Sequence, residues 1–295
     1  MKITVLADDR ADKALARHFP DAGRRQLARL FDEGCVTIGA RRVRKGDRVA
    51  AGDVIEVVRE PVTGDALRPA PDAEAAARLE ILVERAELIV VVKPAGMPSQ
   101  PLRAGELGTA ANGIAARFPE CAALGDDPRD GGLVHRLDIG TSGVLVAART
   151  EAAYRALRDA FGGGLADKQY LAITDGRPVA RECDAPLAQR GKRAVVDHTD
   201  GLAAHTAFTV ERATASHALV RCTARTGRMH QVRAHLAYAG APIAGDELYG
   251  GAPLAGFDGF FLHAARIELP LAGGPLIALA PEPERFARAR AACGL

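Results

Sequence analysis

The stretch from Leu133 to Ala148, which reads LVHRLDIGTSGVLVAA, concentrates side chains that could do chemistry. Two apolar runs flank one carboxylate, one guanidinium, one imidazole and a Thr-Ser-Gly turn. Charged groups between β-type runs are costly unless they are paired or used. Asp138 is the only acid between Asp130 and Glu151, so it is the best candidate for carboxylate chemistry. The alternative is that Asp138 only caps the turn that follows it.

We predict that this segment enters the site as a strand over Gly132–Leu137. Alternation along a strand would place Arg136 and Asp138 on one face and His135 on the other. The turn at Thr141 would then supply a hydroxyl and backbone N–H groups close to the carboxylate.

A second cluster, TGRMHQVRAHL over Thr226–Leu236, is typical of the start of a helix after Gly227, and we predict that helix over Met229–Ala239. Arg228 falls at the N-terminus of this helix, where a cation is unfavourable unless an anion meets it. A carboxylate such as Asp138, or the phosphate of a ligand, could be that anion.

A third motif, KQYLA over Lys168–Ala172, places Tyr170 in a predicted strand. From the residues alone, a cross-strand aromatic is the ordinary interpretation of this tyrosine. A fourth motif, KPAGMP over Lys93–Pro98, is a rigid turn after an apolar strand.

These motifs resemble those of the RluA/RluD-type pseudouridine synthases, which isomerise uridine to pseudouridine in structured RNA. The resemblance spans about residues 3 to 285, and its motifs occur in the family's order. Gly176 to Gly201 matches poorly, and we expect that segment to set the substrate preference. The matching residues are His135-Arg136-Leu137-Asp138, Thr141-Ser142-Gly143, Lys168–Ala172, Thr226–Arg233 and Lys93–Pro98.

The resemblance implies a catalytic mechanism without cofactor or metal. Asp138 would act as the nucleophile, on either the base or the sugar, after the uridine is flipped out of its helix. Arg228 would form an ion pair with Asp138 and keep it ionised. Tyr170 would stack on the base and abstract a proton late in the reaction, and Arg136 would fill the vacated stack.

Residues 1–58 form a small basic module in which 12 Lys and Arg face 9 Asp and Glu, a net charge of +3. Two predicted helices, Ala11–Phe19 and Arg24–Glu33, precede short strands, an order that resembles an S4-type RNA-binding domain. A solvated charged face is the alternative interpretation of the basic residues. The arginines and lysine that we expect to bind a phosphate backbone are Arg24, Arg25, Arg41, Arg42, Arg44 and Lys45.

Composition limits the remaining possibilities. The 295 residues are 48% hydrophobic and 26% charged, with a net charge of +2, which is ordinary for a globular protein of two domains. Five scattered cysteines contain no C-x-x-C pair, so we expect free thiols in a reducing compartment. His230 and His235 lie five apart, which does not suit a zinc site on a helix. No run approaches the roughly 18 apolar residues of a membrane span.

The predicted fold class is α+β. It combines a small S4-type domain over 1–58, a linker over 59–78, and a large catalytic domain over 79–295 with a mixed or antiparallel sheet and a central cleft. We expect a cytoplasmic monomer that acts on structured RNA, ribosomal (large-subunit, 23S) in preference to transfer RNA, without membrane, metal or cofactor. Further side chains assigned to RNA binding are His135, Arg136, Thr141, His230, Gln231 and Arg233.

Two other functions remain open. A non-catalytic RNA-binding or ribosome-assembly factor would use the N-terminal module alone. A hydrolase acting on nucleosides or sugars would need a second carboxylate, for which Asp130 and Asp246 are the candidates.

Overall fold

The computed structural model describes residues 1–20, 22–61, 64–271 and 274–295. The chain divides into two compact units. The first unit contains Met1–Arg68 and Arg103–Gly105, and the second contains Pro69–Leu102 and Glu106–Leu295.

The first unit packs two helices with a small antiparallel sheet. Its helices are α1 (Ala11–His18) and α2 (Arg24–Asp32). Its strands are β1 (Lys2–Thr4), β2 (Asp9–Arg10), β3 (Val36–Ile38), β4 (Arg41–Arg42), β5 (Arg48–Val49) and β6 (Val54–Val57). The sheet has the order β1-β6-β3-β4, and β2 pairs with β5. Leu15, Phe31 and Ile55 belong to its buried core, and a 3-10 helix covers Gly64–Leu67.

The second unit is built on one large sheet. Within the described residues, nine strands join it in the order β11-β14-β15-β10-β16-β9-β8-β7, with β17 paired to β16. The strands are β7 (Glu80–Glu84), β8 (Leu88–Lys93), β9 (Ser142–Ala148), β10 (Asp167–Asp175), β11 (Glu182–Cys183), β14 (Thr206–Ala213), β15 (His217–Ala224), β16 (Leu262–Leu269) and β17 (Leu276–Leu279). All pairs are antiparallel except β9 with β16, so the predicted mixed sheet is confirmed.

Helices cover this sheet, and a separate hairpin stands beside it. The helices are α3 (Ala73–Ala77), α4 (Ala110–Arg117), α5 (Glu151–Gly162), α6 (Gln231–Tyr238) and α7 (Glu284–Ala292), with 3-10 helices over Pro119–Ala123 and Glu247–Tyr249. The hairpin consists of β12 (Leu187–Arg190) and β13 (Arg193–Val196). Among the described residues, no helix has the length and apolar character that crossing a membrane requires.

The predicted strand over Gly132–Leu137 is wrong. Only Leu133 forms an isolated bridge, with Ala147, and the residues that follow are irregular. The reason is local: Gly131 and Gly132 both have positive φ, which breaks the extended run before it starts. Side chains then satisfy backbone groups that a strand ladder would have paired.

Candidate active site

Asp138 lies on a loop whose backbone is held by buried side chains from other elements. The Ser99 hydroxyl accepts from the Leu137 N–H at 3.0 Å and donates to the Leu137 carbonyl at 2.8 Å. The Lys93 ammonium at the end of β8 is fully buried and donates to the Met97 carbonyl at 2.7 Å and to the Ile139 carbonyl at 3.3 Å. The residues on both sides of the carboxylate are therefore fixed.

Burial has the largest effect on the pKa of Lys93. Desolvation lowers its pKa to about 7, and the nearby negative charge of Asp138 opposes that shift. The sequence singled out the Lys93–Pro98 turn without a role for it; the structure places its lysine under the Asp138 loop.

The segment after Asp138 must turn sharply into β9. The Thr141 N–H donates to the Asp138 carbonyl at 3.0 Å, which closes the turn. Gly143 has a φ of +115°, and a Cβ atom there would lie 2.2 Å from the Ala264 carbonyl oxygen on β16. Glycine is required at this position because the neighbouring strand passes so close.

The ion pair of Asp138 is made by Arg233. Nη1 of Arg233 donates to Oδ2 of Asp138 at 3.0 Å, and its Nε and Nη2 donate to Asp246 at 2.6 and 2.8 Å. The side chains of Arg233 and Asp246 are only 7% and 1% exposed. The guanidinium also lies 4.3 Å from the Phe260 ring centroid and 5.0 Å from that of Tyr249. One buried arginine thus bridges two carboxylates between aromatic rings.

The predicted ion pair between Arg228 and Asp138 is therefore corrected to Arg233. Helix α6 begins at Gln231 rather than Met229, because His230 has a left-handed backbone with φ 52°. Arg228 precedes the helix, is exposed, and donates from Nε to the Ala203 carbonyl at 3.0 Å. Arg233 lies in the first turn of α6, where a cation is unfavourable unless anions are close to it. Asp138 and Asp246 are those anions.

Asp246 is a site residue that sequence reasoning considered only as a weak candidate acid. Gly245 before it has a φ of +80°, and a Cβ atom there would lie 2.2 Å from the Gly259 carbonyl oxygen. The chain is thereby held so that the carboxylate of Asp246 reaches Arg233. An acid directly after a glycine was the available signal, but its partner lies 13 residues away and on another element.

A cavity of about 740 Å³ opens beside Asp138. Its lining includes Arg136, Asp138, Tyr170, Arg228 and His230, so the structure brings the main predicted residues of the catalytic domain together. Tyr170 lies on β10 opposite Cys222 of β15. Burial, assisted by the charge of Asp138, raises the pKa of the Tyr170 phenol. The Arg136 side chain is exposed where it lines this cavity.

Three of the polar residues predicted to bind RNA are instead used inside the protein. Gln231 is buried and contacts the His205 carbonyl, the hydroxyls of Thr206 and Thr226 and the Arg228 N–H. His135 accepts the Val146 N–H at 3.0 Å and stacks on Phe161 with ring centroids 4.6 Å apart. Burial lowers the pKa of His135 to about 3, so the ring is neutral. Arg233 is the third, for the reason given above.

Thr141, unlike these three residues, has a side-chain polar group without a hydrogen-bond partner in the described part of the protein. Its side chain is buried and lines the cavity, and its hydroxyl is the one buried side-chain polar atom without a partner among the residues that the structure describes. Such a group carries a desolvation cost that a bound ligand can remove.

The basic residues of the first unit differ in their freedom. Arg44 and Lys45 are exposed. Arg42 donates to the carbonyls of Phe31 and Asp32 and so caps the end of α2, and Arg41 lies 3.6 Å from Asp47. The side chains of Arg24 and Arg25 lie outside what the structure describes.

Comparison with known proteins identifies the family. The family model described as RNA pseudouridylate synthase matches residues 87–238. The chain is 35% identical to a ribosomal large subunit pseudouridine synthase D of Xanthomonas campestris pv. campestris, over 96% of this chain and 88% of the relative. It is 31% identical to a ribosomal large subunit pseudouridine synthase C of Escherichia coli O6:H1, over 90% of this chain and 87% of the relative.

A solved structure of human RNA pseudouridylate synthase domain containing 4 shares the fold. Its TM-score is 0.61 at 24% identity, and the match covers 75% of this chain and 95% of that one. The chain belongs to the RNA pseudouridine synthase family, as the sequence motifs predicted. Its catalytic unit has the mixed α/β fold of that family.

Proposed function

We propose that this protein isomerises specific uridines of large-subunit ribosomal RNA to pseudouridine, with Asp138 as the attacking carboxylate. The observation that carries the proposal is the buried bridge from Arg233 to Asp138 at a cavity that Tyr170 also lines. Nucleophilic catalysis needs an ionised, oriented carboxylate, and a fixed guanidinium supplies both conditions. The preference for ribosomal RNA follows the names of the relatives synthase D and synthase C.

The cavity suits an extruded nucleotide. Its volume lies in the range of roughly 300–1,000 Å³ that is usual for small-molecule sites. A base inside an RNA helix is out of reach of Asp138, so the target uridine flips out at a cost of a few kcal/mol. Tyr170 stacks on the extruded base, and the exposed Arg136 takes its place in the helix, since guanidinium planes stack well on bases.

Arg228 receives a different role from the one its motif suggested. Its guanidinium is exposed where it lines the cavity, and a cation there can neutralise a phosphate of the flipped nucleotide's backbone. The bridge between Asp246 and Arg233 keeps the latter away from the RNA, so the two arginines divide binding and chemistry between them.

We also propose that the first unit binds RNA. We assign it as an S4-type RNA-binding module whose exposed Arg44 and Lys45 contact the phosphate backbone. The support is its set of elements, two adjacent helices between two short strands and four further short strands, together with its net positive charge.

The test uses RNA transcripts labelled with tritium at uracil C5. Pseudouridine formation releases that tritium, whereas a protein that only binds RNA releases none. We expect release from large-subunit ribosomal RNA and little from transfer RNA. Mapping of pseudouridines in cells that lack the protein should show the same positions unmodified. Absence of release from every RNA, or free uracil among the products, would contradict the proposal.

A further inference from the structure

The hairpin β12–β13 is packed at its base and exposed at its tip. Leu187 and Ala194 are buried in a small apolar cluster that also contains Ala234 of α6. At the other end, Gly191, with a φ of 62°, and Lys192 form the two-residue turn. The hairpin belongs to the segment that we expect to set the substrate preference. Its packed base holds the exposed tip in place, so the tip can present side chains to a partner.

Two of the three cations at the tip have no partner in the described part of the chain. Arg190 forms ion pairs with Asp197 and, at 3.6 Å, with Asp200. Lys192 and Arg193 are exposed, and their side chains make no ion pair or hydrogen bond with a described residue. Exposed cations without a protein partner are available to the phosphates of a nucleic acid.

A groove of about 470 Å³ lies between β13, α6 and the 3-10 helix over Glu247–Tyr249, and we call it the hairpin groove. Tyr238 of α6 and Leu248 line it, with exposed fractions of 60% and 41%. Arg193 adds a cation to its lining, and Glu247 adds an exposed carboxylate. An exposed aromatic ring with a neighbouring cation is what proteins use to hold an unpaired nucleobase and its phosphate, and the carboxylate supplies an acceptor for a base amino group.

The hairpin groove and the cavity of the candidate active site have adjoining walls. Consecutive residues of α6 divide between them, because Arg233 lines the cavity and Ala234 lines the groove. The Tyr249 hydroxyl accepts the Ala194 N–H at 2.8 Å and lies 3.1 Å from Nδ1 of His230. Tyr249 and Ala194 line the groove, and His230 lines the cavity. An RNA strand with one nucleotide in the cavity therefore has the groove within reach of a nearby nucleotide.

We propose that the hairpin groove binds an unpaired nucleotide of the substrate RNA, separate from the target uridine, with its base stacked on Tyr238 and its phosphate at Arg193. This inference rests on the proposed function, and it adds a contact that helps to select which RNA is modified. The occupant is RNA and not a protein for two reasons. The unpaired cations suit phosphates, and the adjoining cavity takes a nucleotide of the same strand.

The variant that tests the stacking contact is Tyr238→Ala. The side chain is exposed and alanine favours a helix, so the melting temperature should stay at the wild-type value. On an active transcript of large-subunit ribosomal RNA, we expect KM to rise by about tenfold, the scale of one lost stack between a base and an aromatic ring. Turnover at saturating RNA should be unchanged, because the groove makes no contact with the reacting atoms.

Arg193→Gln tests the phosphate contact. Its KM should also rise, and the slope of log affinity against log salt should decrease by about 0.7, the value for one phosphate of a single strand. The matched controls are Leu279→Ala on β17 and Arg212→Gln on β14, which remove an exposed apolar side chain and an exposed cation elsewhere on the sheet. Both controls should keep the wild-type KM.

Paired changes in the protein and the RNA separate a direct contact from an indirect effect. Abasic sites are placed one at a time at the unpaired positions near the target uridine of the active transcript. We expect one position at which the loss of the base raises the KM of the wild type by about tenfold and has no further effect in Tyr238→Ala. Non-additivity of this kind marks two groups that touch, whereas a structural role of Tyr238 would leave the two effects additive.

The proposal is overturned if Tyr238→Ala and Arg193→Gln both have KM values within about threefold of the wild type, or if the effects are additive at every abasic position. A defect seen only with ribosomal particles, and not with purified RNA, would assign the groove to a protein and would also overturn it. If the wild type forms no pseudouridine in any RNA, the proposed function fails. If the wild type is active and Tyr238→Ala matches it, only the assignment of the groove fails.

Discussion

The loop that carries Asp138 and the basic segment Arg41–Lys45 of the first unit, called the basic loop below, differ in how their charged side chains are held. The carboxylate is held by buried groups on both sides, Lys93 and Ser99 through the backbone and Arg233 through the side chain. Arg44 and Lys45 are exposed. Bond-making chemistry depends on fixed geometry, whereas attraction to a phosphate backbone tolerates motion and depends on salt. Substitutions in the two regions should therefore fail in different ways.

Among variants that keep the carboxylate of Asp138, the largest effect should come from Arg233→Lys. A lysine is a point charge and does not reproduce the fork that serves Asp138 and Asp246 together. We expect turnover to fall by about 100-fold or more, the scale of removing one preorganised electrostatic interaction. Single-turnover rates at saturating enzyme measure it directly.

The same exchange at Arg228 is the matched control. Arg228→Lys keeps the exposed positive charge, so turnover should stay close to that of the wild type, with a small loss of RNA affinity. If Arg228→Lys is the more damaging of the two, the assignment of the ion pair to Arg233 is contradicted.

Neutralisation of the basic loop should change binding and leave chemistry intact. The triple variant Arg41→Gln, Arg44→Gln, Lys45→Gln should bind RNA less tightly and flatten its salt dependence. The slope of log affinity against log salt should decrease by about 0.7 to 0.9 for each phosphate that the loop no longer neutralises. Filter binding at several salt concentrations measures the slope; an unchanged slope would remove this loop from the RNA interface.

Lys93 gives a prediction about stability and pH. Its pKa is about 7 in the folded protein and near 10.5 when unfolded, so between these values the unfolded chain binds more protons. The stability that the neutral amine contributes is complete above about pH 10.5 and is lost as the pH falls through about 7. Urea denaturation should therefore show the unfolding free energy of the wild type rising from pH 7 to 9 relative to Lys93→Met. Parallel curves for the two proteins would contradict the lowered pKa.

The smallest effect should come from Thr141. Its hydroxyl has no partner within the described chain, so Thr141→Val should leave the unfolding free energy unchanged or slightly higher. If the hydroxyl meets the bound nucleotide, KM should rise by about tenfold in Thr141→Val, and Thr141→Ser should restore it. Equal KM values for all three proteins would mean that the hydroxyl has no ligand.

The local parts of the fold were predictable from the sequence. The apolar spacing that predicts helices over Ala11–Phe19 and Arg24–Glu33 gives the observed first residue of each. The strand before the Lys93 turn and the strand that contains Tyr170 are also predicted, and they are β8 and β10, because apolar periodicity reports burial directly. The short hairpin β12–β13 is absent from the prediction, since its strands of four residues each are too short to show such a pattern.

The errors at the site have a common cause. The partner of Asp138 lies 95 residues away in the sequence. The choice between Arg228 and Arg233 therefore depends on knowing at which residue α6 begins. The left-handed backbone of His230 sets that start, and no local propensity predicts it. The buried clamps by Lys93 and Ser99 replace backbone pairing, which a pattern of apolar residues does not reveal.

The central claim is that the carboxylate of Asp138 performs the isomerisation, and that binding of the RNA without this carboxylate does not. It is tested most directly by Asp138→Asn, assayed for tritium release and for RNA affinity on the same transcript. The account predicts no release at a dissociation constant equal to that of the wild type, because the amide keeps the size of the side chain and removes its charge. Release at the wild-type rate from Asp138→Asn would contradict it.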